Sequence, residues 1–582
     1  IAPEDDSKPI SIFCSVCQQS VDPHHLFNHK KAHKALNLLG FDNPQTKPDN
    51  KTLLAQRQKL VSKLTKTPKY SETHRQKIDY SFEFLIDNNT PTSFCDLANV
   101  NNPNTFKKVN NSLIRALSIC QDKNSPWQAD MEDRFIVLDN YGNRSDTCFL
   151  GLFDGSHGAT AAETVAAELP LLFLDQLAQM DSSYIKSRDE QQTLDSFATV
   201  IKADYKEKEK IFSEKTANCK THKTNAYEWI HKAYAKSFWR MDRLLRLGRN
   251  EDSKVRWSGC SAVTCLVERI PREETDGTEE EGKNHSGSTT PSPLTRIPKG
   301  AAGLLHIANI GNAHAVLCKN GKSHCLSREH STSNTTERKR ILQDGGSISP
   351  NEPEGLVEGY LRTTRGLGHH GDAVLKRSVI PVPHTVSIPI DDTCQFLILA
   401  SNGLWEVLDY NEVFALTLTT FTHYLKRYEC VQQNGASPSR CHYVMPLTED
   451  NLCDSEAITD LEGGREIPYS NKDISLTDSK GSLEQKKMDS KVFCDELASY
   501  AGQELLKTVS PVGSKPPSPQ PEEDTKTHLS SCKSQSARRF RVASETLYNS
   551  AASYVSKQLV KMALAAGSRD NITVVIVFLN GC

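Results

Sequence analysis

The stretch FLGLFDGSHG, residues 149 to 158, limits the folds open to this chain more than any other. Its apolar run, long enough for a buried strand, stops at Asp154-Gly155, and a segment of small residues with helical character begins at Ala159. A strand that ends on Asp before a glycine turn fixes a carboxylate at the edge of a sheet, where it can hold a divalent ion. Asp-Gly is equally a common turn, because both residues tolerate unusual backbone angles. The rest of the chain must therefore decide what Asp154 is for.

A chain of 582 residues exceeds one compact core, which points to two or three modules or to one large domain with insertions. Its 24% charged and 37% hydrophobic content fits a globular protein with disordered parts. No run of 18 apolar residues is present, so no membrane partner is expected. The polar start IAPEDDSKPI reads as carrying no secretory signal. The 17 Cys are odd in number and scattered, a pattern of reduced residues in an intracellular protein, cytoplasmic and/or nuclear. A net charge of -2 exerts no global pull toward nucleic acid or anionic lipid, so any such pull is local.

Near the start, Cys14, Cys17, His29 and His33 follow the spacing C-x2-C-x11-H-x3-H, within a unit spanning 10–36. Thiolate and imidazole suit tetrahedral zinc, and in so small a unit the metal supplies most of the folding free energy. Leu26, three residues before the first His, is where the small core of such a C2H2-like finger needs an apolar side chain. The next segment, 37–105, reads as a basic, partly helical linker. Residues 30–77 hold twelve Lys or Arg against Asp42, Asp49 and Glu72, a local excess of nine positive charges. Leu53, Leu54, Leu60, Val61 and Leu64 recur there at helical intervals and predict one basic amphipathic helix. Its function is either a solvated face or nonspecific contact with nucleic acid or acidic partners. A single finger reads only about three base pairs, so this one does not specify a DNA site alone.

From 106 to 582 strand-like and helix-like segments alternate. Strands are predicted at 111–119, 134–139, 147–153, 258–267, 303–309, 314–318, 394–400 and 572–579. Helices are predicted at 159–179 with a break at Pro170, and at 224–247, 335–344, 403–418, 492–507 and 544–566. Three polar or Pro-Ser-Glu-rich stretches, about 272–298, 430–488 and 510–536, read as disordered insertions.

Four further segments fall in order around FDGSHG: WQADMEDRF (127–135), IANIGNAHAVL (307–317), FLILASNGLWEVL (396–408) and GSRDNITVVIV (567–577). Together they resemble the metal-dependent protein Ser/Thr phosphatases of type 2C. The resemblance implies an α+β fold, a four-layer α/β/β/α sandwich with a two-metal site at one end. It also implies Mg or Mn that activates a water to attack phosphoserine or phosphothreonine. Glu132 and Asp133 match the family's M-E-D, Asp154 its bridging Asp, Gly155 the adjacent carbonyl ligand, and Asp570 its late S-x-D-N ligand.

The departures are equally specific. Asn402 and Asn312 stand where the family has metal-binding Asp, and each keeps an oxygen but loses a charge. Gln128 replaces the family's phosphate-binding Arg, a bidentate clamp on the phosphoryl oxygens. Loss of one such stabiliser costs about 3–4 kcal/mol in the transition state. Ser156 replaces the His that the resemblance casts as proton donor to the leaving oxygen. If Ser156 is instead an inserted residue, His157 loops back as the general acid. His369 stands where the family's S-R-A-L-G-D run ends in Asp, whereas Arg365, Gly368, Glu337, Arg340 and Ile341 are retained.

The leading reading is a phosphatase-fold protein with little or no activity that binds a phosphoprotein or another protein. A second is a slow or narrowly specific metal-dependent phosphatase using Asp133, Asp154 and Asp570 with one ion and His157. A third is a zinc-finger protein whose basic segment meets nucleic acid or a partner while the phosphatase-like part is structural.

Overall fold

A computed structural model of the chain describes residues 11–41, 48–64, 71–87, 105–106, 108–203, 205, 227–248, 255–270, 300–349, 355–434 and 531–582. The predicted helix 492–507 and the insertion 272–298 lie outside them, as does most of the two later insertions.

The architecture follows from strands that are apolar on both faces, so that each sheet is covered twice. The strands in chain order are β1 (Ile12–Phe13), β2 (Ser20–Val21), β3 (Thr105–Phe106), β4 (Ile114–Asp122), β5 (Arg134–Asp139), β6 (Thr147–Ser156) and β7 (Gly259–Arg269). There follow β8 (Gly303–Ile310), β9 (His314–Lys319), β10 (Lys322–Cys325), β11 (Leu367–Gly368), β12 (His384–Ile390), β13 (Cys394–Ala400) and β14 (Ile572–Leu579). One six-stranded sheet runs β10-β9-β13-β14-β4-β3, and the facing sheet runs β12-β8-β7-β6-β5 with β11 paired to β7. Side chains alternate between faces with the period of a strand. Leu150, Leu152, Val263, Leu397, Leu399, Val575 and Val577 fill the space between the sheets. Phe149, Phe153, Ala262 and Leu266 turn outward against the helices α4 (Thr160–Met180) and Glu228–Leu247. Phe396, Ile398, Val574, Ile576 and Phe578 turn outward on the other sheet, against helices Tyr410–Asn434 and Ser531–Ala565. The result is the four-layer α/β/β/α sandwich expected from the motifs.

Several local expectations change. The predicted break at Pro170 is absent, because α4 continues through it with Pro170 buried and its carbonyl accepting the Tyr141 hydroxyl. The predicted helix 403–418 is divided into a short turn Asn402–Trp405 and the helix from Tyr410. Residues 430–434 continue that second helix, and the last helix starts at Ser531, inside the stretch 510–536 read as disordered. The edge strands β10 and β12 were not predicted. β12 carries Pro389, which an edge position tolerates.

The single linker helix is also replaced. Three helices, α1 (Pro23–Leu38), α2 (Asn50–Leu64) and α3 (Ser71–Ile86), enclose a small core of Leu36, Leu39, Leu53, Ile78 and Leu85. Of the apolar stripe read at 53–64, Leu53, Leu60, Val61 and Leu64 face that core, whereas Leu54 is exposed.

Candidate functional site

The acidic residues meet at one end of the sandwich. β6 carries Asp154 near its end, paired with Ser261 of β7, and continues through Gly155 to Ser156 where the sequence suggested a turn; Asp133 immediately precedes β5. Asp570 lies just before β14, and Asn402 begins the turn after β13. Hydrogen bonds from Asn402 tie Asp154 and Asp570 together, and Asp133 is held separately, by β14. The Asn402 backbone N–H donates to Asp154 at 2.6 Å, and its side-chain amide donates to Asp570 Oδ2 at 2.9 Å. The Thr573 hydroxyl donates to Asp133 at 2.7 Å. Glu132 accepts from the Gly158 N–H at 2.9 Å. Gly155 is required as glycine: an added Cβ would sit 2.5 Å from the Glu132 carbonyl oxygen.

Burial dominates the electrostatics. It pushes the Asp133 carboxyl up to about 7, with the charges of Asp570 and Glu132 adding to the rise. Burial also raises Asp154 well above the carboxylate range, reinforced by Asp133 and Asp570. Both shifts are what buried acids show when no counter-charge faces them.

The altered positions are engaged elsewhere. The Gln128 amide donates to the Arg569 carbonyl at 2.8 Å. Asn312 Oδ1 accepts from the Ser261 hydroxyl at 2.7 Å. The β6–β7 ladder runs through Asp154, Gly155 and Ser156 without a register shift, so Ser156 occupies an ordinary strand position. His157 follows it, exposed, in the left-handed backbone region at φ 58°. The Ser156 hydroxyl lies 3.3 Å from Nε2 of His369, whose Nδ1 is 3.1 Å from the Trp257 carbonyl oxygen. Burial lowers the His369 imidazole to about 4, so it is neutral at pH 7. Two departures from the phosphatase pattern are therefore neighbours in space, although 213 positions apart.

The retained residues do structural work. Arg365 and Arg340 both bind the buried Glu337 carboxylate, and Arg340 also donates to the Thr364 carbonyl at 2.9 Å. Gly368 has φ 86°, and an added Cβ would meet the Ser258 carbonyl oxygen at 2.6 Å.

For a pair of Mg or Mn ions the donor set does not fit. Asn402 turns its NH2 toward Asp570, the Asn312 oxygen is taken by Ser261, and Asp133 and Asp154 are left without the added negative charge that a two-ion cluster needs. Among the described residues, the Cys, His, Asp and Glu group whose ligand atoms converge is Cys14, Cys17, His29 and His33, all within 4.8 Å of one another. The turn between β1 and β2 presents the two thiols, closed by Cys14 N–H to the Gln19 carbonyl at 3.0 Å. α1 presents both imidazoles, four residues apart on one face. His29 Nε2 lies 3.1 Å from Cys17 Sγ and 3.0 Å from His33 Nε2. Burial holds both imidazoles below their ordinary value and pushes the Cys14 thiol up to about 11. This is a metal-binding geometry in donor type and convergence.

No helix among the described residues is long and apolar enough to cross a membrane. The profile of the family described as Protein phosphatase 2C matches residues 118–433. Protein phosphatase 2C-like domain-containing protein 1 of Homo sapiens is 44% identical over 98% of this chain and 89% of its own length. The protein of the same name from Mus musculus is 38% identical over 98% of this chain and 88% of its own. A solved serine-threonine phosphatase 2C from Toxoplasma gondii covers 82% of this chain and 99% of its own, with 14% identity and a TM-score of 0.36, and the assignment rests on the sequence matches. With the sandwich and its acidic end in place, these matches show that the chain belongs to the protein phosphatase 2C family.

Proposed function

We propose that the phosphatase-like domain is a binding and regulatory module with little or no turnover, acting on a protein partner. The observation that carries this reading is the 2.9 Å hydrogen bond from the Asn402 amide to Asp570. An amide donor stands where the family places a carboxylate, so Asp570 is met by an uncharged hydrogen-bond donor and the cluster has one negative charge fewer with which to draw a cation. Without a compensating ion, none of Asp133, Asp154 and Asp570 offers a phosphoryl group a cationic partner. Recognition then falls to the protein surface of the partner, phosphorylated or not. The rim offers suitable groups: Arg569 stacks on Trp127 at 4.5 Å, and Trp257 stands 68% exposed beside His369.

The second reading, a weak phosphatase with one ion, draws support from the burial of Asp133 and Asp154, a penalty that a cation would remove. Calorimetric titration with MnCl2 separates the two. No heat of binding up to millimolar concentration supports the module. Saturable binding lost in Asp154→Ala favours the weak enzyme. Nucleic-acid contact through residues 30–77 has less support, since Lys30 is committed to Glu412 and Arg57 to Asp79.

We assign the N-terminal cluster to zinc, because two thiolates and two imidazoles are its preferred tetrahedral set. Elemental analysis of the full chain is expected to give one zinc per molecule, and substoichiometric metal in Cys17→Ser.

A further inference from the structure

A self-contained zinc finger buries its small core between its own hairpin and helix. Here the core is shared. Ile12, Cys14, Val21 and Leu26 belong to the same buried cluster as Leu404, Val407, Leu408 and Phe414 of the phosphatase-like domain. Polar contacts reinforce this seam. The Lys30 ammonium donates to the Val407 carbonyl at 2.9 Å and pairs with the buried Glu412. The Ser15 N–H donates to Glu412 at 3.3 Å, and the Ser15 hydroxyl bonds Asp409. On its other side α1 approaches the last loop, where Phe27 lies 3.9 Å from the position of a Cβ built on Gly567.

These two contact regions lead into the candidate site. Residues 404–412 directly follow Asn402, and Gly567 opens the loop that carries Asp570. Glu406 joins the two, accepting from the Ser568 hydroxyl at 2.8 Å and the Arg569 N–H at 2.7 Å. The four metal-ligand residues are thus one layer behind the segments that present Asn402 and Asp570. The hairpin 12–21 has only two-residue strands, so a metal ion joining Cys14 and Cys17 to His29 and His33 would add a direct tie between it and α1 to the packing of Ile12, Val21 and Leu26.

We propose that the zinc unit is an intramolecular staple. Metal occupancy of Cys14, Cys17, His29 and His33 fixes Ser15, Leu26 and Lys30 against residues 404–412 and the 567–571 loop, and so sets the order of the candidate site. This assignment rests on the zinc reading above, and it gives the unit a role inside the chain instead of on nucleic acid. Zinc loss or thiol oxidation would loosen Asn402 and Asp570 without touching them.

The test is hydrogen–deuterium exchange of the full chain, zinc-loaded and chelator-stripped, with metal content measured on the same samples. Stripping is expected to speed exchange at least tenfold in peptides covering 402–412 and 567–571, with the centres of β6 and β7 unchanged. One bound zinc with equal exchange in both states would overturn the staple and leave the zinc reading standing. Absence of zinc would overturn both. Should stripping unfold the whole chain, Lys30→Met decides: it spares the ligands, and is expected to retain one zinc yet exchange faster at 404–412. Unchanged exchange in that variant would overturn the proposal.

Discussion

Replacing Asn402 by Asp restores the family's charge at the position that this chain has changed most consequentially. The structure permits the cost to be worked out. Asn402→Asp removes an amide that donates to Asp570 Oδ2 at 2.9 Å and puts a second carboxylate in its place. The lost hydrogen bond to a charged group is worth about 1.5–3 kcal/mol. Two full charges at that separation repel by roughly 6 kcal/mol at an effective dielectric of 20. Taking up one proton is the cheaper route: a carboxyl with an ordinary value near 4 requires about 4 kcal/mol to be protonated at pH 7, at about 1.4 kcal/mol per unit. The protonated carboxyl donates in turn to its partner and so replaces the lost bond, which leaves the protonation cost: the variant should be roughly 4 kcal/mol less stable than its parent at pH 7 in chelator, and the deficit should shrink by about 1.4 kcal/mol for each unit of acidification. A divalent ion meets the added charge instead, and at a hundred times its dissociation constant it returns about 2.7 kcal/mol. Urea unfolding at pH 5, 6 and 7, with and without MnCl2, reads all three effects. A variant as stable as its parent in chelator at pH 7, or a parent that Mn stabilises as much as the variant, would rule out this role for Asn402.

Three other perturbations follow from particular contacts. Arg365→Ala leaves the buried Glu337 with Arg340 and the Thr364 hydroxyl, and should cost about 3 kcal/mol in chemical denaturation while leaving zinc content intact. Gly155→Ala drives a Cβ to 2.5 Å from the Glu132 carbonyl oxygen, and should cost about 1–3 kcal/mol and displace the Glu132-Asp133 segment, readable as altered amide chemical shifts there. The Asp133 carboxyl has a folded value of about 7, above its unfolded value near 4. Its contribution to stability is fully present below about pH 4 and is lost as pH rises through about 7. Asp133→Asn should flatten that part of the stability profile.

The layered fold was legible because its strands are buried on both faces and read as continuous apolar runs, as at 147–153, 394–400 and 572–579. β12 was not, since Pro389 and the alternating HTVSIPI pattern suit an edge strand that local reading discounts. Pro170 misled for the opposite reason: tertiary packing of α4 overrides a local helix breaker. The four Cys and His lie within 20 positions, so their spacing alone disclosed them, and the motif order disclosed Asp133, Asp154, Asn402 and Asp570. Contacts between distant segments left no such trace. Nothing near Ser156 signals His369, and nothing in the finger signals that Leu26 and Lys30 face Val407 and Glu412. Those partners are set by how the sheets and helices close, which a linear pattern does not encode.

We propose that the acidic end of the sandwich does not turn over phosphate. The purified full chain, assayed on a phosphoserine or phosphothreonine peptide with millimolar Mn or Mg beside the Asp154→Ala variant, decides the matter. Equal, background release of phosphate from both proteins is expected. Turnover by the parent that Asp154→Ala abolishes would contradict it.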